Sequence, residues 1–363
     1  MTVERDALKA AFLSSAGLGE ARRAPLAGDA STRAYERLYL ADGSRRIFMD
    51  QPPVESASCP PDADPETRRA LGYNALARLA AGRVDAFVAV AGWLNRAGLS
   101  APRIEAFDVG QGLAIMEDLG DDLFGVLIAG GADEVPLYEA AVEALVHMQS
   151  TPAPDRLGAE AGLDWPILTY DALALQTAAD LLPDWLPALR PQVRIDAAAR
   201  ADWEALWRPI LQRGEAGASV FSHRDYHVEN LIWLPQREGP ARVGMVDFQD
   251  AVLAHPAWDL SMLLHDARRD VSPTLSEAML ERYLDSAGRM DDPQFVPDFR
   301  ALGALNISRI IGVFARLVVR DGRPRYEAFL PRMWGYLDAC LADPGLSDLR
   351  DWLDACVPAE ARR

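Results

Sequence analysis

The stretch that most limits what this chain can become is a polar octet set between two short apolar runs. Ser219-Val220-Phe221-Ser222 leads into His223-Arg224-Asp225-Tyr226-His227-Val228-Glu229-Asn230, and Leu231-Ile232-Trp233-Leu234 follows directly. Beyond a turn at residues 235–240, a third apolar run, 242–246, ends in Asp247-Phe248-Gln249-Asp250. Two apolar runs joined by a short turn predict a hairpin, in which Asn230 at the start of one strand lies near Asp247 at the end of the other. An amide oxygen and a carboxylate so placed suit a hard cation; magnesium takes a few such ligands and leaves the rest of its octahedron to water and substrate phosphates. Asp225, in the loop just ahead of Asn230, is then placed to accept a proton from a hydroxyl. Alone, Asp225 and Asp247 are ordinary turn formers; the spacing of all three predicts phosphoryl transfer.

Composition removes competing classes. Lys and Arg number 37 against 54 Asp and Glu, a net charge of -17, the wrong sign for a protein that neutralises the phosphates of a nucleic acid or an anionic membrane. The excess acid reads as a solvated surface. Cys59, Cys340 and Cys356 have no paired spacing, which suggests neither a disulfide framework nor a zinc site. Glu4, Arg5, Asp6 and Lys9 interrupt the N-terminal segment where a signal peptide requires an apolar run. The apolar run 310–319 is broken by Arg316 and is shorter than the ~20 residues of a membrane span. A cytoplasmic protein with no nucleic-acid or membrane partner is expected, its oligomeric state open.

At 363 residues the chain has room for two domains, and the patterning divides it near residue 120. Residues 34–50 read as a hairpin turning at Ala41-Asp42-Gly43-Ser44, with Asp-Gly supplying the positive φ of a tight turn. Residues 51–65, rich in Pro, Ser and Asp, predict an exposed loop, 66–81 and 84–97 predict helices, and 102–107 and 113–116 predict strands. The first domain is therefore β-rich, and its Gly28-Asp29-Ala30-Ser31-Thr32-Arg33 loop offers N–H groups and hydroxyls to an anion. The remainder is mainly helical. Leu137, Ala141, Ala144, Leu145 and Met148 mark one amphipathic helix, and further helices cover most of 168–211 and 274–356. Trp334 and Tyr336, in the latter stretch, are assigned to core packing.

The segments HRDYHVENL and MVDFQDA, followed by His255-Pro256-Ala257-Trp258-Asp259-Leu260, resemble the aminoglycoside phosphotransferase and choline kinase-like family of small-molecule kinases. GDASTRAYERL at 28–38, FMDQPP at 48–53, MEDLGDD at 116–122 and RLVVRDGRPRYEAFLPRMWGYL at 316–337 are similar to a subgroup that phosphorylates the anomeric hydroxyl of N-acetylmuramate and N-acetylglucosamine in cell-wall recycling. The resemblance implies an α+β, protein-kinase-like two-lobed fold. Its small antiparallel-sheet N-lobe, 1–120, would bind nucleotide; its larger helical C-lobe, 121–363, would carry the catalytic loop and the sugar site. It implies ATP and Mg2+, with Asp225 as catalytic base, His223 as a brace of the catalytic loop, Asn230 and Asp247 as metal ligands, and Asp259 fixing the loop from the next helix. It further implies a hinge from Glu117 to Leu119 whose backbone meets adenine, and a phosphate loop containing Asp29, Ser31 and Thr32.

One departure stands out. The family places an ATP-binding lysine on the third strand, where this chain runs Arg46-Ile47-Phe48-Met49-Asp50, and its only lysine is Lys9. Arg33 and Arg37 are the candidate replacements, and the helix 84–97 offers only Asp85 as an acidic partner. For an amino-sugar acceptor a polar pocket is expected, with an arginine for the muramate carboxylate. His227, Glu229, Asp250 and Arg268 are the candidates, with Gln249, Trp258, His265 and Arg269 as further ones and His265 read as a packed helix residue. Two other readings stay open. One is a kinase of the same fold acting on an aminoglycoside, choline or homoserine. The other is a non-catalytic nucleotide-binding protein, favoured by the missing lysine and opposed by the presence of Asp225, Asn230 and Asp247 together.

Overall fold

The hairpin at 34–50 forms the middle of the N-lobe sheet. In the computed structural model, which describes residues 2–26, 33–53 and 58–362, this sheet has five strands: β1 (Arg22–Pro25), β2 (Ala34–Tyr39), β3 (Arg45–Asp50), β4 (Ile104–Asp108) and β5 (Leu113–Glu117). They run in the order β1-β2-β3-β5-β4 with every neighbouring pair antiparallel. Gly43, at φ 83°, makes the β2–β3 reversal, and the Asp42 carboxylate accepts from the Ser44 amide to close it.

Side chains alternate across a strand, and here the alternation sorts the sheet into two jobs. Leu38, Phe48, Leu113 and Ile115 face away from the cleft and pack with Leu13 of the N-terminal helix Thr2–Ser15. Tyr35, Arg37, Ile47 and Met116 face the cleft between the lobes. Lys9 belongs to the far side, where its ammonium lies 3.0 Å from Glu36 and 3.5 Å from Asp50. The only lysine is therefore separated from the cleft by the sheet.

The helix expected at 84–97 is present as Val84–Arg96, almost entirely buried. The one expected at 66–81 is not continuous. Pro65–Leu71 ends at Gly72, φ 91°, and a single turn, Tyr73–Leu76, is followed by Arg78 and Ala81 at φ 53° and 54°. Tertiary bonds compete with the helix here: Arg68 donates to Ala75 O and Leu76 O, and Arg224 donates to Ala77 O and Arg78 O.

The C-lobe is built around the 25-residue helix Phe295–Val319, which packs against Leu181–Leu189, Leu330–Leu341 and Ala257–Leu264. By length and composition this helix could cross a membrane, but 67% of its apolar window is buried inside the protein, as in a core helix. At Gly312 the helix approaches Leu181 so closely that a Cβ would sit 2.2 Å from a backbone carbon. Trp334 is buried as expected, while the half-buried Tyr336 accepts from the Val271 amide.

Candidate active site

Two short antiparallel strand pairs, the second a hairpin, present the polar octet at the floor of the cleft. Val220–Ser222 pairs with Val252–Ala254, and Leu231–Trp233 pairs with Val243–Met245. The second has the register expected from sequence: Leu231 lies opposite Met245, and Val246 N donates to Asn230 O at 3.0 Å. Asn230 and Asp247 are thereby brought to one end of the hairpin.

The loop between the strands is fixed by a buried acid. Asp259, fully buried on the helix Ala257–Leu264, accepts from Ser222 Oγ at 2.9 Å, His223 N at 2.7 Å and Arg224 N at 2.8 Å. Burial pushes its carboxyl up to about 7 against the pull of these three donors. Arg224 is held at φ 77°, a left-handed conformation that costs a non-glycine residue roughly 1–2 kcal/mol, and its side chain lies over Tyr170. Tyr226 donates to Ala141 O at 2.8 Å and pins the loop to the helix Glu134–Ser150. His223 is wholly buried with its ring edge-on to Tyr226 and Phe248, and burial lowers its basicity so that it stays neutral. Its place is beneath the loop, away from the cleft, which suits a positioning role rather than one in contact with substrate.

Asp225 is the residue that this scaffold presents. Its backbone carbonyl accepts from Asn230 Nδ2 at 2.9 Å, and its carboxylate lies 3.7 Å from Arg309 Nη2. Arg309 comes from the core helix Phe295–Val319 and was not singled out in the sequence; an arginine inside the apolar stretch Asn306-Ile307-Ser308-Arg309-Ile310-Ile311-Gly312 was the available signal. Asp247 sits at φ 62°, and its Oδ1 accepts from Arg33 Nη2 at 2.8 Å and Gln249 Nε2 at 3.1 Å. Arg33 Nη1 also donates to Gln249 Oε1 at 2.6 Å. Arg33 therefore reaches across the cleft from the N-lobe to Asp247 itself.

The donor set fits magnesium. Asn230 Nδ2 is committed to Asp225 O and to His227 Nε2 at 3.3 Å, which leaves its amide oxygen as the group available to a cation, and the Asp247 side chain is 46% exposed to the cleft. Among the described residues there is no group of three or more His, Cys, Asp and Glu placed to hold a metal.

The cleft has a volume of about 740 Å³. Ile47, Met116, Leu119, Ile232 and Val246 form an apolar part, as a purine ring requires, and Arg33, His227, Asn230, Asp247 and Arg268 form the polar end. Glu117 and Leu119 lie on the strand-to-loop junction. The Glu117 carboxylate is tied to Arg237 at 2.7 Å and Arg103 at 3.2 Å. Next to it Asp118, 3% exposed, meets Arg37 at 2.7 Å, and Arg37 also holds Asp121 at 2.7 Å. Arg37, one of two candidates for the missing lysine, is thus occupied by the hinge, and those two acids raise its basicity further.

Of the remaining candidates, Asp29, Ser31 and Thr32 lie outside the described residues. His227, Glu229 and Arg268 come together: Arg268 Nε is 2.8 Å from Glu229 and its Nη1 3.4 Å from His227 Nε2. Burial, aided by Arg268, lowers the His227 imidazole to about 3, so it is neutral and Nε2 accepts. Asp250 does not join them. It accepts from Ala80 N at 2.6 Å and lines a separate cavity of about 210 Å³ beside Arg78, Arg83 and Trp165. The acid next to a strand end was read as facing the substrate; the strand-end turn carries it to the back instead. Asp85 likewise pairs with Arg83, not with a nucleotide-holding cation. Trp258 and His265 are core residues, the latter bonded to Ser261, and Arg269 is taken by Glu134.

Comparison with known proteins agrees with this geometry. Residues 22–296 match the phosphotransferase enzyme family. The chain is 62% identical to an N-acetylmuramate/N-acetylglucosamine kinase of Caulobacter vibrioides over 100% of its length and 99% of that protein's. It is 32% identical to one of Pseudomonas aeruginosa, over 93% and 89% of the two chains. Among solved structures, a Plasmodium vivax ethanolamine kinase superposes with a TM-score of 0.56 at 11% identity, covering 90% of this chain and 84% of that one. A GDP complex of aminoglycoside 2'-phosphotransferase-IIIa gives 0.56 at 11%, covering 95% and 99%. These likenesses carry the two-lobed kinase-like fold, and with the family match and the curated relatives they make the chain an enzyme of the phosphotransferase enzyme family, a kinase of small molecules.

Proposed function

We propose that the protein transfers the γ-phosphoryl group of ATP to the anomeric hydroxyl of N-acetylmuramate and N-acetylglucosamine. The observation that carries this reading is that Asn230 and Asp247 line the polar end of the cleft while Asn230 Nδ2 bonds the Asp225 carbonyl beside them, in a chain 62% identical to a kinase named for these two sugars. A cytoplasmic location fits the use of ATP.

Asp225 holds the acceptor hydroxyl and takes its proton as the sugar oxygen bonds to phosphorus and the bond to the β-phosphate oxygen breaks. Asn230 and Asp247 would hold Mg2+, which offsets charge on the β- and γ-phosphate oxygens. Arg33 does the work of the absent lysine: on nucleotide binding it exchanges its bonds to Asp247 and Gln249 for phosphate oxygens and frees the Asp247 carboxylate. The Glu117–Leu119 backbone meets adenine. His227, Glu229 and Arg268 border the acceptor. Positioning and charge cancellation supply most of the catalysis in such transfers.

The test is an ADP-release assay with ATP, Mg2+ and a panel of the two sugars, an aminoglycoside, ethanolamine and choline. Turnover is expected with the sugars, and Asp225→Asn is expected to bind ATP normally while losing at least ~100-fold in kcat. Turnover confined to a non-sugar alcohol, or an Asp225→Asn enzyme of near-normal rate, contradicts the proposal.

A further inference from the structure

The acceptor side of Asp225 contains a cation that the phosphoryl-transfer machinery does not use. Arg309 projects from the core helix with its Nε bonded to Asn306 Oδ1 at 3.0 Å, and Asn306 is itself fully buried and held against Met262 Sδ at 2.7 Å. This bracing aims the guanidinium at the catalytic loop. Among the described residues its one carboxylate neighbour is Asp225, at 3.7 Å, longer than a charge-assisted hydrogen bond of about 2.7–2.9 Å. The Arg309 side chain is 17% exposed and that of Asp225 30% exposed, so neither is sealed in the core. Arg268, another arginine near the loop, is paired with Glu229 at 2.8 Å.

A guanidinium has five donors in a planar fork suited to a carboxylate. Arg309 spends one on Asn306 and directs another toward sulfur, and no described carboxylate closes the fork. A largely buried guanidinium whose one carboxylate stands off at 3.7 Å is under-compensated, and an arriving substrate anion would reduce that cost. The two sugars of the proposed function differ in this respect. N-acetylmuramate carries a carboxylate on the lactyl ether at ring position 3, and N-acetylglucosamine has a neutral hydroxyl there. With the anomeric hydroxyl on Asp225, position 3 lies one ring-width away, on a scale that the adjacent Arg309 fork can span.

We infer that Arg309 is the specificity-determining residue that receives the carboxylate of an acidic amino sugar. This rests on the sugar-kinase reading above and deepens it: the acceptor site is built for an anionic sugar, and the neutral one is accepted without that contact. Asn306 acts through Arg309 and is a positioning residue.

The test pairs a change in the enzyme with a change in the sugar. The native enzyme and Arg309→Met are assayed with N-acetylmuramate, its methyl ester, and N-acetylglucosamine, each with KM and kcat resolved. In the native enzyme the free acid is expected to exceed the methyl ester in kcat/KM by about tenfold or more, the worth of a charge-assisted bond, mainly through KM. In Arg309→Met the acid and the ester are expected to become equal, and the ratio of N-acetylmuramate to N-acetylglucosamine to fall by a similar factor; Arg309→Lys restores part of it. Native enzyme that uses acid and ester equally overturns the inference without reliance on any variant. So does an Arg309→Met enzyme that loses the same factor in kcat on all three sugars, because Arg309 then serves Asp225 alone; in both cases the sugar-kinase reading stands. Native enzyme inactive on every sugar overturns that reading and this inference together.

Discussion

Arg37 and Arg33 lie four residues apart, and the structure gives them opposite tasks that binding experiments separate. Arg37, 8% exposed, clamps Asp118 and Asp121 beneath the hinge; Arg33 bonds Asp247 and Gln249 at the phosphate end. Arg37→Met keeps most of the apolar stem and removes the charge, leaving the buried Asp118 carboxylate with Arg45 at 3.3 Å. Breaking a buried pair costs about 3–5 kcal/mol. Because Arg45 remains and the Asp121 side chain is 68% exposed, the expected loss is lower, about 2–3 kcal/mol. It falls on the segment proposed to meet adenine, so binding there would have to reorder the hinge. Isothermal titration with adenosine and with ADP then discriminates. Arg37→Met is expected to weaken both ligands by the same factor, about tenfold for each 1.4 kcal/mol spent on reordering. Arg33→Met is expected to leave adenosine unchanged and to weaken ADP by about tenfold or more, the value of a charged hydrogen bond. If Arg37→Met weakens ADP and spares adenosine, Arg37 holds phosphate and the reasoning is wrong.

Three further outcomes follow from buried groups. Asp259→Ala removes the acceptor of three bonds that hold the catalytic loop and releases the Arg224 backbone from φ 77°; kcat is expected to drop at least ~100-fold, more than KM for ATP changes, since a misplacement of about 1 Å costs that much. His227, lowered to about 3 by burial, stays neutral in the native state while the unfolded side chain gains a proton below about 6.5. Stability is therefore lost as pH falls through 6.5 toward 3, by about 2 kcal/mol at pH 5, and urea titrations at pH 7.5 and 5 should show a smaller drop in His227→Gln. Asp180 has the opposite sign. Burial raises it to about 6 despite Arg200, so the native state retains a proton that the unfolded state releases near 4. Its contribution falls by about 2 kcal/mol between pH 4 and 6, and Asp180→Asn should flatten that segment of the profile.

The sequence made the local part of the site legible and hid the part assembled from distant elements. Asn230 and Asp247 were readable because one hairpin register sets their separation, whereas Asp259 as a loop anchor came only with the family resemblance. The pairs Arg37–Asp118 and Arg309–Asp225 join residues 81 and 84 positions apart, and no periodicity encodes them. The break in the helix expected at 66–81 is a tertiary override: carbonyls at 75–78 bond Arg68 and Arg224 in place of continuing the helix. Asp250 was misplaced for a related reason, since the turn after Asp247, itself at φ 62°, sends the next acid toward Ala80.

The most direct measurement is phosphorus and proton NMR of the product formed from ATP, Mg2+ and N-acetylmuramate or N-acetylglucosamine. The account predicts a phosphomonoester resonance coupled to the anomeric proton of each sugar, absent with Asp225→Asn. A phosphate coupled to the C6 methylene protons, or no sugar phosphate while another alcohol is phosphorylated, contradicts it.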